Sequence, residues 1–351
     1  MILQKLTDIS IEYAVFKNFV SSGNLDYNRE ILVVTDLPLG CINNELVNFI
    51  NNFDFPIIMK TVDYHSFVVN NSFLNKLGKS VGIFENVLKE SYFDIIDRMV
   101  LSYLKKSGNF NALVEEFRKN CIDRTIDAFT TKDFYEFYND TLFLNTDGLE
   151  IYFLLDNKFF LSSPEVLLNI KCLGIKFFID GTISSGTAWI YRNRKNLFLD
   201  EKEFDCVLEL LDKKFKNLGR IYLAFHCIGW YAFEFLVKNL AKKILKKNNL
   251  ILRVEHCSLI KKKDIEKLID LIRDYNAYGR VFLVLNPEKG SISIMDLYGY
   301  KNYFYVAYAS DAPVYGLDLI DSIFVLLNSD SHYNVEIVND IFRFNDLLFL
   351  I

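Results

Sequence analysis

From position 150 onward the chain repeats one pattern: a short apolar run, then an amphipathic stretch, at spacings of about thirty residues. The runs are EIYFLLD (150–156), LGIKFFID (173–180), RIYLAFH (220–226), LILRVEH (250–256), RVFLVLN (280–286) and YFYVAYAS (303–310), with TIDAFT (125–130) ahead of them. Most are continuous rather than alternating, the mark of parallel strands buried on both faces. Between them, residues 201–216 place Phe204, Val207, Leu208 and Leu211 on one helical face, and 231–247 and 262–275 behave alike. Repeated βαβ units of this size predict a parallel α/β fold, either an open sheet or a (β/α) barrel. Two further strands are expected upstream, at 30–36 (EILVVTD) and 56–63 (PIIMKTVD), and 79–120 reads as mostly helical.

Composition narrows the function classes. Of 351 residues, 32 are Phe and 20 Tyr, enough apolar area for a sizeable core and against disorder. Lys and Arg number 40 against 45 Asp and Glu, and no basic stripe dominates, so a nucleic-acid partner is not expected. Lys5, Asp8, Glu12 and Lys17 interrupt any signal-like apolar run, and 221–237 carries His226 and Glu234, so neither secretion nor a membrane span is expected. The six cysteines form no CxxC pair and read as buried apolar residues of a reducing, cytoplasmic compartment. The expected organisation is an N-terminal segment, 1–121, packed as one compact unit on barrel strands in 122–351. The lysines of 238–263 are expected on solvated helix faces.

The polar residues at the strand ends are the candidates for chemistry. His226 and His256 end two successive strands, about thirty residues apart, and Asp180 and Asp311 follow two others. The C-terminal ends of parallel strands are where α/β folds place their sites. Taken singly, each histidine reads equally as a satisfied core residue, and each aspartate as a cap or turn former. Lys176 lies inside an apolar run, and a lysine there stands either at an edge or in a site. Two imidazoles, a carboxylate and a lysine on separate strands suit zinc or a similar ion in a hydrolytic arrangement.

Six ordered segments carry a resemblance. IKFFIDGTISSGTAWI (175–190) resembles the VKLFADGSLGSRTAAL segment of the amidohydrolase 3 family. AFHCIGWYAFEFLV (224–237) is similar to its AVHAIGDRAVDAVL, LRVEH (252–256) to HRIEH, and ASDAPV (309–314) to GSDAPV. Upstream, PIIMKTVDYHSFVVNNSFL (56–74) resembles PVYLRRVDGHSAWVNSAAL, and GIFE (82–85) resembles GLLRE. The resemblance is to the branch containing N-substituted formamide deformylase-like proteins. It implies a (β/α)8 TIM-type barrel and hydrolysis of non-peptide C–N bonds in a small amide-like substrate. It also implies a metal held by a carboxylated Lys176 with His226 and His256, and Asp311 as the base. His65, Asp180 and Glu255 would stand on the substrate side.

Departures from the family pattern bear on that activity. No His-x-His pair occurs, Trp230 replaces the aspartate of HAIGD, and Gly186 replaces the arginine of GSRTA. The segments that build the family's small β-sandwich have no counterpart. The resemblance therefore implies one divalent ion at most, zinc being expected, or none. Activity is expected to be reduced, or replaced by a binding or regulatory role. Trp230 is expected to pack against the site. Seven strands leave a gap in the barrel, to be filled by 30–36, by 346–351 or by a second chain in a homodimer.

Overall fold

The structure is a computed structural model that describes residues 10–12, 31–61, 66–76, 87–89, 119, 122–139, 149–193, 195–285, 294–309 and 340. The chain divides into two compact units. One is Met1–Ile122 with Asp133–Gly148 and Ala312–Val314; the other is Asp123–Lys132 with Leu149–Asp311 and Tyr315–Ile351.

The first unit holds a five-stranded sheet in sequence order: β1 (Ser10–Glu12), β2 (Leu32–Leu37), β3 (Ile57–Thr61), β4 (Ser66–Val69) and β5 (Val87–Lys89). β1, β2 and β3 are parallel, while β4 and β5 run antiparallel to their neighbours. This corrects the expectation that 30–36 fills the barrel gap. The strand there is the central member of a different parallel trio, because Leu32, Val34 and Leu37 share a core with Ile57, Met59 and Val68. Within 79–120, expected to be mostly helical, the described residues are the strand β5 and a helical Lys119. Asn70 organises the turn after β4. It is fully buried; its Oδ1 accepts from the backbone N–H of Ile57 and Phe73, and its Nδ2 donates to the carbonyls of Ile50, Phe53 and Phe55. One side chain thereby pairs five backbone groups of the surrounding turns.

The second unit is a seven-stranded, all-parallel sheet in strict sequence order, curled into an incomplete (β/α) barrel. Its strands are β6 (Arg124–Thr130), β7 (Glu150–Asp156), β8 (Cys172–Phe178), β9 (Ile221–Cys227), β10 (Leu250–His256), β11 (Val281–Leu285) and β12 (Tyr305–Tyr308). All seven coincide with apolar runs of the sequence to within two residues at most ends, since a strand buried on both faces has little polar pattern to blur it. β6 and β12 are the edges among the described residues.

Alternation along each strand separates two cores. Leu154, Tyr222, Ala224, Ile251, Phe282, Val284 and Ala307 form the concave one. On the convex side, Phe177 of β8 stacks on Phe225 of β9 (5.2 Å), and Phe204 of helix Glu201–Lys214 covers both at 5.4 and 6.0 Å. Asp200 caps this helix, accepting from the N–H of Lys202 and Glu203, and the four apolar positions read from its sequence are the buried ones. Helix Trp230–Phe235 continues through a π-helical stretch, Leu236–Ala241, into Lys242–Leu245. Its lysines reach outward, Lys243 pairing with Asp205 at 2.6 Å and Lys247 with Asp212. No helix among the described residues is long and apolar enough to cross a membrane.

The closeness of β8 to β9 depends on Gly174. A Cβ there would stand 1.9 Å from the Tyr222 carbonyl oxygen. Gly174→Ala is therefore expected to force the two strands apart and cost about 2 kcal/mol or more. The shift of the urea-unfolding midpoint at unchanged m-value measures it.

Candidate active site on the concave face

Register decides which side chains meet. β8 and β9 pair Lys176 with Ala224 and Phe178 with His226; β9 and β10 pair Glu255 with His226 and His256 with Cys227. Lys176, His226, Arg253 and Glu255 thus fall on the concave side, in line with Tyr222, Ala224 and Ile251. Asp156 of β7 is the register partner of Lys176 and shares its side.

His256 has the wrong parity. Glu255 faces inward, so the next residue of a regular strand faces the helices. The backbone breaks instead: His256 has φ 72° and Cys257 φ 50°. Two successive non-glycine residues in this region cost about 1–3 kcal/mol each. The His256 torsion turns its ring edge-on to His226, with centroids 4.3 Å apart. The other side of His226 stacks on Phe178 at 5.1 Å, and Phe178 meets Phe129 of β6 edge-on at 5.0 Å.

Below the imidazoles lies an ionic cluster. Lys176 Nζ pairs with Glu255 Oε2, and Arg253 Nη2 stands 3.0 Å from Glu255 Oε1; all three side chains are at least nine-tenths buried. Lys176 Nζ also lies 5.4 Å from the Phe178 ring centroid. Burial pulls the Arg253 guanidinium down to about 10, which leaves it charged at neutral pH. Lys176, expected as a metal ligand, therefore meets Glu255, and Glu255, expected on the substrate side, sits in the buried floor. No sequence pattern pairs them; only the two-strand offset between β8 and β10 does.

Asp180 lies two residues beyond β8 and is fully buried. Ile228 N–H donates to its Oδ1 at 3.0 Å; Gly229 N–H and Trp189 N–H donate to its Oδ2 at 2.7 and 2.8 Å. This carboxylate staples the loop after β8 to the loop after β9. Gly229 is required there, because a Cβ would meet the Trp189 carbonyl oxygen at 2.4 Å. Asp180 Oδ1 is also 3.7 Å from His226 Nδ1. Trp230 is half-buried and faces Lys261, whose Nζ lies 5.6 Å from its ring centroid. His65 and Asp311 lie outside the described residues.

The cysteines near the site are not ligands in waiting. Burial raises the Cys227 thiol well above its ordinary value, with the Asp180 charge and Cys257 adding and Lys176 opposing. Burial also raises Cys257, and pushes Cys172 from 9.0 to about 12. The five cysteines among the described residues are free thiols.

Among the described residues no group of three or more His, Cys, Asp and Glu side chains is placed to hold a metal ion. The fit to a metal is therefore partial. His226 and His256 supply two adjoining imidazoles, the donor type that suits zinc, while the amine of Lys176 is engaged by Glu255.

No family model matches the chain, and no curated protein matches it in sequence. Solved structures do match in fold. An uncharacterized metal-dependent hydrolase from Pyrococcus horikoshii OT3 aligns with a TM-score of 0.63 at 13% identity, covering 97% of this chain and 74% of that one. One from Pyrococcus furiosus aligns with a TM-score of 0.61 at 14% identity, covering 93% and 74%. The chain thus shares its fold with these structures, its own seven parallel strands forming an incomplete TIM-type barrel.

Two outcomes test this description. Glu255→Ala leaves Lys176 and Arg253 buried together without their carboxylate, and is expected to cost about 3–5 kcal/mol in chemical denaturation. The thiols set an alkaline limit. A folded-state value above the unfolded one contributes stability that is complete below the unfolded value, 9.0, and is lost as pH climbs toward the folded one, about 12 for Cys172. Unfolding midpoints are expected to fall steadily above 9.0, and Cys172→Ala to flatten that fall.

Proposed function

We propose that this chain is an amidohydrolase-like protein that binds one divalent ion through His226 and His256 and hydrolyses a non-peptide C–N bond in a small amide-like substrate. The observation that carries the reading is the backbone break at His256. A satisfied core histidine needs no left-handed backbone; here the strained φ of His256 brings a second imidazole to 4.3 Å from the first. The sequence resemblance to the amidohydrolase 3 family and the fold shared with metal-dependent hydrolases point the same way.

A divalent ion held there supplies Lewis-acid polarisation of a carbonyl and a water nucleophile at neutral pH. The chain's own residues divide the remaining work. His226 is held in place by Phe178 and His256 on its two sides. Asp311, three positions past Tyr308 in sequence, would be the third donor and the base toward the attacking water. Lys176 acts as a fixed ammonium rather than a carboxylated ligand, since its Nζ is paired with Glu255, whose other oxygen faces Arg253. A single ion, not two, follows from that assignment.

The same ionic cluster favours a second reading, in which the fold is kept for binding or regulation without turnover. Lys176, Glu255 and Arg253 then fill the floor of the half-barrel as an internal substitute for the metal.

Metal content separates the two readings. Protein purified without chelators is expected to carry one divalent ion per chain by mass spectrometry, and His226→Ala and His256→Ala each to reduce it at least tenfold. Hydrolysis of a panel of N-formyl and N-acyl amines is expected to fall with it. Protein without metal under cobalt or zinc excess supports the second reading, and two tightly held ions per chain overturn the ligand assignment.

A further inference from the structure

Asp180 is too well enclosed to touch a substrate, yet it stands at the one ring nitrogen that decides how His226 can act. Its two oxygens receive three backbone N–H groups, from Ile228, Gly229 and Trp189, at 3.0, 2.7 and 2.8 Å. All three donors point inward to a side chain with no exposure to solvent. A carboxyl that receives three N–H donors serves as an acceptor. Its Oδ1 faces His226 Nδ1 at 3.7 Å, beyond hydrogen-bond length but within strong electrostatic reach in a buried setting.

The ring has little freedom to avoid that oxygen. Phe178 stacks on one side of it at 5.1 Å, and the His256 ring closes the other at 4.3 Å. β9 itself is pinned on both sides: Ile179 N–H donates to the His226 carbonyl at 3.1 Å, and Cys257 N–H donates to the Cys227 carbonyl at 3.1 Å. With the ring fixed, Nδ1 presents either a lone pair or a proton to a carboxylate oxygen. A lone pair is repelled and an N–H is attracted. In neutral imidazole only one nitrogen carries the proton, so the choice at Nδ1 sets the other nitrogen as the acceptor.

We propose that Asp180 is a positioning residue that keeps the proton of His226 on Nδ1 and so makes Nε2 the acceptor nitrogen. Its functional consequence rests on the reading of His226 as an ion ligand: a histidine held by an outer carboxylate on one nitrogen is oriented and made more basic at the other. The loop after β8 thereby does more than connect. It carries the acid that prepares a histidine on the next strand.

The test reads the tautomer directly. In metal-free protein labelled with 15N-histidine, at about pH 8.5 where an ordinary histidine is neutral, two-bond 15N–1H correlation spectra distinguish the two tautomers. His226→Gln identifies the signal. The wild-type His226 is expected in the Nδ1–H form, and Asp180→Asn to shift it to a mixture or to the Nε2–H form. Cobalt affinity is expected to fall about 10–100-fold with it. An Nε2–H tautomer in the wild type overturns the proposal, and that spectrum suffices should Asp180→Asn fail to fold. A folded Asp180→Asn whose His226 keeps the wild-type tautomer also overturns it. An Nδ1–H tautomer in a wild type that binds no cobalt upholds the role of Asp180 and removes instead the reading of His226 as a ligand.

Discussion

Every second side chain of a parallel strand faces the same way, and this one constraint decides what the half-barrel can assemble at its rim. β8 contributes Lys176 and Phe178, β9 contributes His226, and β10 contributes Arg253 and Glu255, all to the concave side through the register of three adjacent strands. His256 is the member of the group that alternation would turn away. It reaches His226 because the chain enters the left-handed region at His256; the same region at Cys257 then redirects the loop beyond. The strain is located where the sheet ends, and the strand hydrogen bonds resume beyond it in loop form, with Leu259 N–H donating to the Ile228 carbonyl at 2.9 Å. The loops after β8, β9 and β10 are therefore one connected layer, tied by Asp180 and by these backbone bonds.

The layer beneath is of a different kind. Asp156, Lys176, Arg253 and Glu255 are charged residues with almost no exposure, on a face otherwise made of Leu154, Tyr222, Ala224, Ile251 and Val284. Buried charges of this sort are tolerated when each finds its opposite, and add little net stability even then. Their value is in what they forbid. An ammonium held by Glu255 is a cation that a second divalent ion would have to displace. The same cluster is the physical ground both for proposing a single ion and for the inactive reading.

How much of this was legible in the sequence follows from burial. The seven strands of the second unit were readable because continuous apolar runs such as IYLAFH have no competing interpretation at that length and spacing. His226 and His256 were readable as strand-end residues for the same reason. The partner of Lys176 was not, since Glu255 lies 79 positions away and pairs with it only through a register that no local pattern encodes. Nor was the left-handed turn at His256, where neither glycine nor asparagine advertises it. The strand expected at 30–36 is present as β2 (Leu32–Leu37), but in another sheet: a gap in the barrel suggests a filler, whereas β2 finds its parallel partners nearby in sequence, in β1 and β3.

Asp180 shows where a motif and its physical role part company. Read as a residue in a loop, an aspartate before glycine is a turn former or a substrate contact. Read in three dimensions, its oxygens accept the N–H groups of Ile228, Gly229 and Trp189, and its Oδ1 stands 3.7 Å from His226 Nδ1. Gly229 must be glycine for the Trp189 backbone to approach, and that approach in turn brings the Trp189 N–H to the carboxylate. The segments that resemble the amidohydrolase 3 family at 175–190 and 224–237 are thus two halves of one arrangement rather than two independent matches. Replacing the family's aspartate with Trp230 leaves this arrangement intact, because Trp230 faces Lys261 and takes no part in the staple.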